Sequence, residues 1–269
     1  VLALAEANRI CALGLSHAEL DIADAASVKA ALLRLRPDVV LNCAAFTAVD
    51  RCESEPEAAR RANAVGPEVL AAACADGPLL VHVSTDYVFG GRAHKPIPEN
   101  ARTAPVGVYG RSKLEGEQAV ARAGGEFLIV RTQWVFGPGP NFVRTLLRAA
   151  AQGGPLRVVE DQLGRPTWTT ALARAIFRAV EVGARGRLHL ACEGMASWFD
   201  FARAVVDEGA RRGLNSRVEV LAIPTREMPR PAARPAYGVL GLERARGLGL
   251  SLPHWREALE GYLDAEREG

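Results

Sequence analysis

Lysine is nearly missing from this chain of 269 residues: Lys29, Lys95 and Lys113 are its only lysines, and arginine carries the rest of the positive charge. A charge imbalance is missing too. The formal net charge is +2 and the arginines are dispersed, which excludes nucleic acid or an anionic membrane as the main partner. No apolar run approaches the roughly 18 residues that cross a bilayer. The opening VLALAEANR reaches Glu6 too early for a signal-peptide core and has no basic leader. Cys11, Cys43, Cys52, Cys74 and Cys192 are odd in number and form no C-x-x-C pair. They read as reduced core residues of a cytoplasmic protein, not as a disulfide framework or a zinc ribbon. The five histidines show no metal-ligand spacing, so no metal site is expected.

With 49% hydrophobic and 24% charged residues, the composition is that of a globular protein with a packed core. Short apolar runs read as buried strands: ICAL (10–13), DVVLNCAA (38–45), LLVHVS (79–84), FLIVRT (127–132) and RLHLA (187–191). Segments of helical length lie between and beyond them, at about 25–36, 55–76, 107–123, 141–152, 169–182 and 253–267. This alternation predicts an α/β fold with a parallel sheet covered on both faces. The proline-rich stretches 155–168 and 217–238 suggest a smaller second lobe. The expected division is 1–152 with 169–212 for dinucleotide binding, and 153–168 with 213–269 for substrate. A dinucleotide-binding sheet opens with strand, glycine-rich turn and helix. That element is missing here: VLALAEANRI reads as the end of a first helix running into the second strand.

Ligands gather at the carboxyl ends of such strands. The helix that follows the third strand carries VYGRSKLEGE, with Tyr109 and Lys113 four residues apart on one face. A nearby ammonium favours the phenolate and lowers a phenol's pKa, so the pair is expected to form a tuned proton donor and acceptor. Lysine suits this task as a compact charge on a flexible stem. Alone the spacing is a weak signal, also met by a surface Tyr and Lys. Ser84-Thr85-Asp86 at the end of a buried strand strengthens it, because a hydroxyl there can polarise a carbonyl oxygen. Thr85, Tyr109 and Lys113 make an acid–base set for reducing a ketone, with the hydride coming from a nicotinamide.

The chain resembles the dTDP-4-dehydrorhamnose reductase family of extended short-chain dehydrogenase/reductases. The stretches that carry the resemblance are RPDVVLNCAAFTAVDRCESEP (36–56), Asn63-Ala64, VHVSTDYVFGG (81–91), VYGRSKLEGE (108–117), VRTQWVFGPGPNFV (130–143), VVEDQLGRPT (158–167) and ARP (233–235). It implies a Rossmann-type doubly wound sheet with a smaller C-terminal substrate domain. It also implies reduction of the C4 ketone of dTDP-4-dehydro-L-rhamnose by NADPH or NADH, in a monomer or homodimer. Carried over by position, Tyr109 is the proton donor, Lys113 its partner and holder of the cofactor, and Thr85 the polarising hydroxyl. Asp21 and Ile22 border the adenine, Ala45, Phe46 and Thr47 line the cofactor, and Asn63 lies near the cofactor loop. Asp86 and Trp134 contact the sugar nucleotide. Arg165 and Arg234 are expected at the substrate diphosphate, where a guanidinium binds bidentately. Some members hold magnesium through glutamates at a dimer contact; the matching position here is Thr170, so that metal is not expected. Asp50 and Glu53 read as helix-start charges, and His82 as a satisfied core histidine. Two other readings stand beside this one: a different nucleotide-sugar reductase, epimerase or dehydratase, and a non-catalytic subunit of the kind that regulates methionine adenosyltransferase.

Overall fold

The computed structural model describes residues 1–7 and 9–268. Four of the expected runs pair into one parallel sheet, in the spatial order β1 (Val39–Asn42), β2 (Leu79–Thr85), β3 (Phe127–Thr132) and β4 (Gly186–His189). Successive strand residues face opposite sides, and the apolar clusters follow that alternation. Leu79, Val81, Leu128 and Val130 enter one cluster, against the helices Phe142–Gln152, Thr169–Glu181, Trp198–Arg211 and Trp255–Glu268. Leu80 and Ile129 enter the other, against Ala25–Leu35, Gly66–Ala73 and Val108–Arg122. Both faces are therefore covered, which is why these strands read as continuous apolar runs.

The ICAL run is not a strand. The Ile10 amide donates to the Ala5 carbonyl at 2.8 Å, at the end of the helix Leu2–Ala7. Residues 10–13 join no ladder among the described residues. Without a partner strand they stay irregular, and Leu13 is 65% exposed. Two further differences concern helices. The run expected at 55–76 is broken into Pro56–Arg60, a π turn Arg61–Val65 and Gly66–Ala73, with Val49–Ser54 before it. Pro56 and Pro67 stand near helix starts, where a missing N–H does least harm. The helix Trp198–Arg211 was not expected, although its start carries a capping box: Ser197 and Asp200 each accept the other's backbone N–H.

Smaller pairings complete the chain. Leu156–Val159 runs parallel to Val220–Ile223, Val135–Phe136 pairs with Thr167–Trp168, and Leu163–Gly164 pairs antiparallel with Ala196–Ser197. All five cysteines are free. Cys52, Cys74 and Cys192 are buried as expected, but Cys11 and Cys43 are exposed, because each lies in irregular chain outside the packed layers. Among the described residues no helix is long and apolar enough to cross a membrane.

A buried ion pair fastens the helix Val108–Arg122 to the sheet. Glu117 accepts two bonds from Arg131, at 2.9 and 2.6 Å, and one from the Ser84 hydroxyl at 2.6 Å. Arg131 also donates to the Glu99 carbonyl and lies 5.0 Å over the Phe89 ring. On the helix's other side Gly116 lets it touch the π turn, since a Cβ there would collide with the Asn63 carbonyl. Removing one partner of a buried pair leaves a charge uncompensated. Glu117→Ala is therefore expected to lower unfolding free energy by about 3–5 kcal/mol in urea titration; a loss below about 1 kcal/mol would contradict the assigned role of this pair.

Candidate active site

The site lies where β2 ends and the helix Val108–Arg122 begins. Thr85 closes β2, and its hydroxyl oxygen accepts the Tyr87 amide at 3.2 Å, capping the short turn Asp86–Val88. The same hydroxyl donates to Asp86 Oδ1 at 3.2 Å and neighbours the Tyr109 side chain. The Tyr87 ring packs edge-on against Tyr109, 5.4 Å between centroids. Thr85, Asp86 and Tyr109 are thus brought together as the sequence suggests.

Lys113 lies one turn further along the helix, 2% exposed. Its ammonium donates to the Val83 carbonyl at 2.7 Å and sits 3.4 Å from His82 Nε2. His82 is fully buried and pairs with Asn42 across the ladder. The Asn42 Oδ1 accepts the Ala44 amide at 3.0 Å, so its NH2 group is the one that meets His82 Nδ1, at 3.1 Å. The reading of His82 as a satisfied core histidine fits these contacts, and the structure adds its place against Lys113.

Burial governs the electrostatics. It raises the Tyr109 pKa above that of an ordinary phenol, with the Thr85 hydroxyl opposing it. The direction is opposite to the lowering expected from a nearby ammonium: the leading cause is taking the phenolate out of water, and the Lys113 ammonium is engaged by Val83. Burial likewise pulls Lys113 down to about 8, against the pull of Glu117. It pushes Asp86 up to about 7, against the Thr85 bond.

The cofactor candidates sit beyond the end of β1. Ala45 and Phe46 are half-buried and Thr47 is exposed. Asn63, fully buried in the π turn, fixes this tail from both sides: its Oδ1 accepts the Phe46 amide at 2.8 Å and its Nδ2 donates to the Phe46 carbonyl at 3.1 Å. It also donates to the Ser112 hydroxyl at 3.0 Å, tying the tail to the helix of Tyr109 and Lys113. Asp21 pairs with Arg61 at 2.5 Å, and Ile22 packs beside Gly66, so both flank the same turn. A π turn inside a helical run often marks a functional site.

Trp134 follows β3 in a left-handed conformation, φ 46°. Its ring stacks on Trp198 at 3.7 Å and lies against Gly164. Arg165 is buried and donates to the carbonyls of Leu240 at 2.9 Å and Gly194 at 2.6 Å. Arg234 holds Asp50 through two bonds of 3.0 Å and donates to the Ala232 carbonyl. Both guanidinium groups have partners within the protein. Asp50 is accordingly more than a helix-start charge.

The family model described as RmlD substrate binding domain matches residues 1–268. The chain belongs to this family. A dTDP-4-dehydrorhamnose reductase of Mycobacterium tuberculosis is 44% identical over 263 residues, covering 94% of this chain and 84% of that protein. A crystal structure of a dTDP-4-dehydrorhamnose reductase from Clostridium acetobutylicum superposes with a TM-score of 0.94 at 37% identity, covering 99% of this chain and 94% of that one. A second, from Bacillus anthracis in complex with NADP, gives 0.91 at 34% identity, covering 96% and 92%. These likenesses fix the fold of the family member as the expected Rossmann-type α/β arrangement.

Sequence reasoning missed the structural roles of two acids that hold the helix of Tyr109 and Lys113. Glu117 was legible: Tyr109, Lys113 and Glu117 recur at intervals of four and so share a helix face. Glu53 was not. It caps a different helix from its own, accepting the Val108 amide at 2.8 Å across a long sequence gap. Gly107 precedes that helix and offers no side chain for the purpose. Losing a helix cap costs about 0.5–2 kcal/mol. Glu53→Ala should show such a loss in thermal or chemical unfolding and Glu53→Gln much less; equal stability of all three proteins would remove the cap.

Proposed function

We propose that this protein reduces the C4 ketone of dTDP-4-dehydro-L-rhamnose to dTDP-L-rhamnose, with NADPH or NADH as reductant. The convergence of Thr85 at the end of β2 with Tyr109, packed on the Tyr87 ring of the turn that Thr85 caps, and with Lys113 buried one helical turn away, is the observation that carries the reaction class. The substrate follows from the family and from the 44% identity to a dTDP-4-dehydrorhamnose reductase. The bound NADP in the Bacillus anthracis structure supports the cofactor.

The residues present suit a nicotinamide dinucleotide. The tail after β1 leaves Cys43, Ala44 and Thr47 exposed at the strand's carboxyl end, while Asn63 holds its backbone rigid beside Lys113's helix. A bound nicotinamide supplies the hydride, which no side chain can. Ala45, Phe46 and Thr47 line it on this reading, Asp21 and Ile22 border its adenine, and Lys113 holds its ribose. Tyr109 delivers the proton to the C4 oxygen. Its raised pKa keeps the phenol protonated at neutral pH, so the donor is loaded before substrate arrives. Thr85 donates to the same oxygen and steadies the developing negative charge. Asp86 accepts sugar hydroxyls, and Trp134, fixed by its stack on Trp198, is a flat wall for the sugar nucleotide.

We assign 1–152 and 169–212 to cofactor binding and 153–168 and 213–269 to the sugar nucleotide. The pairing of Leu156–Val159 with Val220–Ile223 supports grouping those two segments. Five free cysteines suit a reducing, cytoplasmic setting, and the assembly is a monomer or homodimer. The test is to incubate the purified protein with NADPH and dTDP-4-dehydro-L-rhamnose, following nicotinamide absorbance and the identity of the sugar. Tyr109→Phe should lower kcat by about 10²–10⁴-fold with cofactor affinity nearly unchanged. Undiminished turnover would take Tyr109 out of the reaction, and no oxidation by a folded, cofactor-binding sample would overturn the function.

A further inference from the structure

The hydroxyl of Thr85 has one proton to give, and in this structure it goes to Asp86. The oxygen meanwhile receives the Tyr87 amide at 3.2 Å, while the hydroxyl hydrogen is directed at Asp86 Oδ1, 3.2 Å away. A hydroxyl so engaged cannot also donate to a substrate ketone. Resting on the reduction proposed above, we propose that Asp86 is a positioning residue that sets the direction of the Thr85 hydrogen bond. An ionised Asp86 captures the Thr85 proton. A protonated Asp86 donates to the Thr85 oxygen instead and frees the hydroxyl for the ketone. Nothing is transferred covalently; one proton on Asp86 exchanges the roles of donor and acceptor along a chain of oxygens.

The surroundings of Asp86 make that exchange accessible near neutrality. The side chain is 2% exposed and has no ion pair among the described residues. Thr85 and Tyr87 face it from its own segment, and Tyr109 faces it from the helix Val108–Arg122. The chain packed over it brings Gly238, where a Cβ would strike Oδ2, with the neutral amide of Gln133 behind. Arg234 and Asp50 form a pair of their own on the far side of Tyr87. With no cation to hold the carboxylate ionised, burial lifts Asp86 to about 7.

The sign follows. The reductive direction is favoured with Asp86 protonated, so kcat/KM should fall as pH rises through about 7. Asp86→Asn has an amide N–H that donates to Thr85 at every pH. Its fall should be displaced to about 8, where Lys113 loses its proton. A fall that stays near 7 in Asp86→Asn overturns the proposal. A wild-type protein with no turnover at any pH instead overturns the reduction. Carbon-13 NMR of the carboxyl group in the substrate-free protein reads the device independently of turnover and of the variant's folding. The Asp86 signal should titrate near 7, and its titration should shift in Thr85→Val, which removes the hydrogen-bond partner of both protonation states. Titration below about 5, or no movement in Thr85→Val, also overturns it.

Discussion

The helix Val108–Arg122 has to lie flat on the sheet with two charged side chains facing inward, and everything at the site depends on how those charges are satisfied. Lys113 is answered by the Val83 carbonyl and Glu117 by Arg131 and Ser84. Each of those partners sits on β2 or β3. The same strands that supply apolar residues to both faces also supply the polar atoms that make a charged helix face tolerable. A buried pair of this kind is weak as a source of net stability but strict about geometry. It fixes the rotation of the helix about its axis, and with that the direction in which Tyr109 points.

Thermodynamically the site is ruled by dehydration. Three ionisable groups around the crevice, Tyr109, Lys113 and Asp86, all shift toward their neutral forms, and burial is the leading cause in each case. Pairwise attraction, which sequence spacing suggests first, is the smaller influence. The phenol is kept as a proton source by the cost of making a phenolate away from water, and the amine beside it holds its proton less firmly than a surface lysine does.

Much of this was legible in the chain of residues, for identifiable reasons. Short apolar runs at 38–45, 79–84, 127–132 and 187–191 marked the four strands seen at Val39–Asn42, Leu79–Thr85, Phe127–Thr132 and Gly186–His189, and the spacing of Tyr109 and Lys113 placed both on one helix. What was not legible depended on pairing over distance. ICAL has the composition of a strand, but composition does not supply the neighbour that a ladder requires. Nor does the sequence show that Arg165 is held by the carbonyls of Leu240 and Gly194, or that Arg234 pairs with Asp50. Glu53 is an acid near a helix start, and the helix it serves is another one. The helix Trp198–Arg211 was the avoidable miss, since S-W-F-D is a local capping signal.

Trp134 carries one more implication. A left-handed backbone costs a bulky residue about 1–2 kcal/mol, and here the indole is kept in place by lying flat on Trp198. The two rings behave as a single energetic unit. Shrinking Trp198 would remove the reason for the unfavourable dihedral, and the loop after β3 would relax to a commoner conformation and carry its ring elsewhere. Drift at either position is therefore constrained by the other, although the two are remote along the chain and are joined by no hydrogen bond.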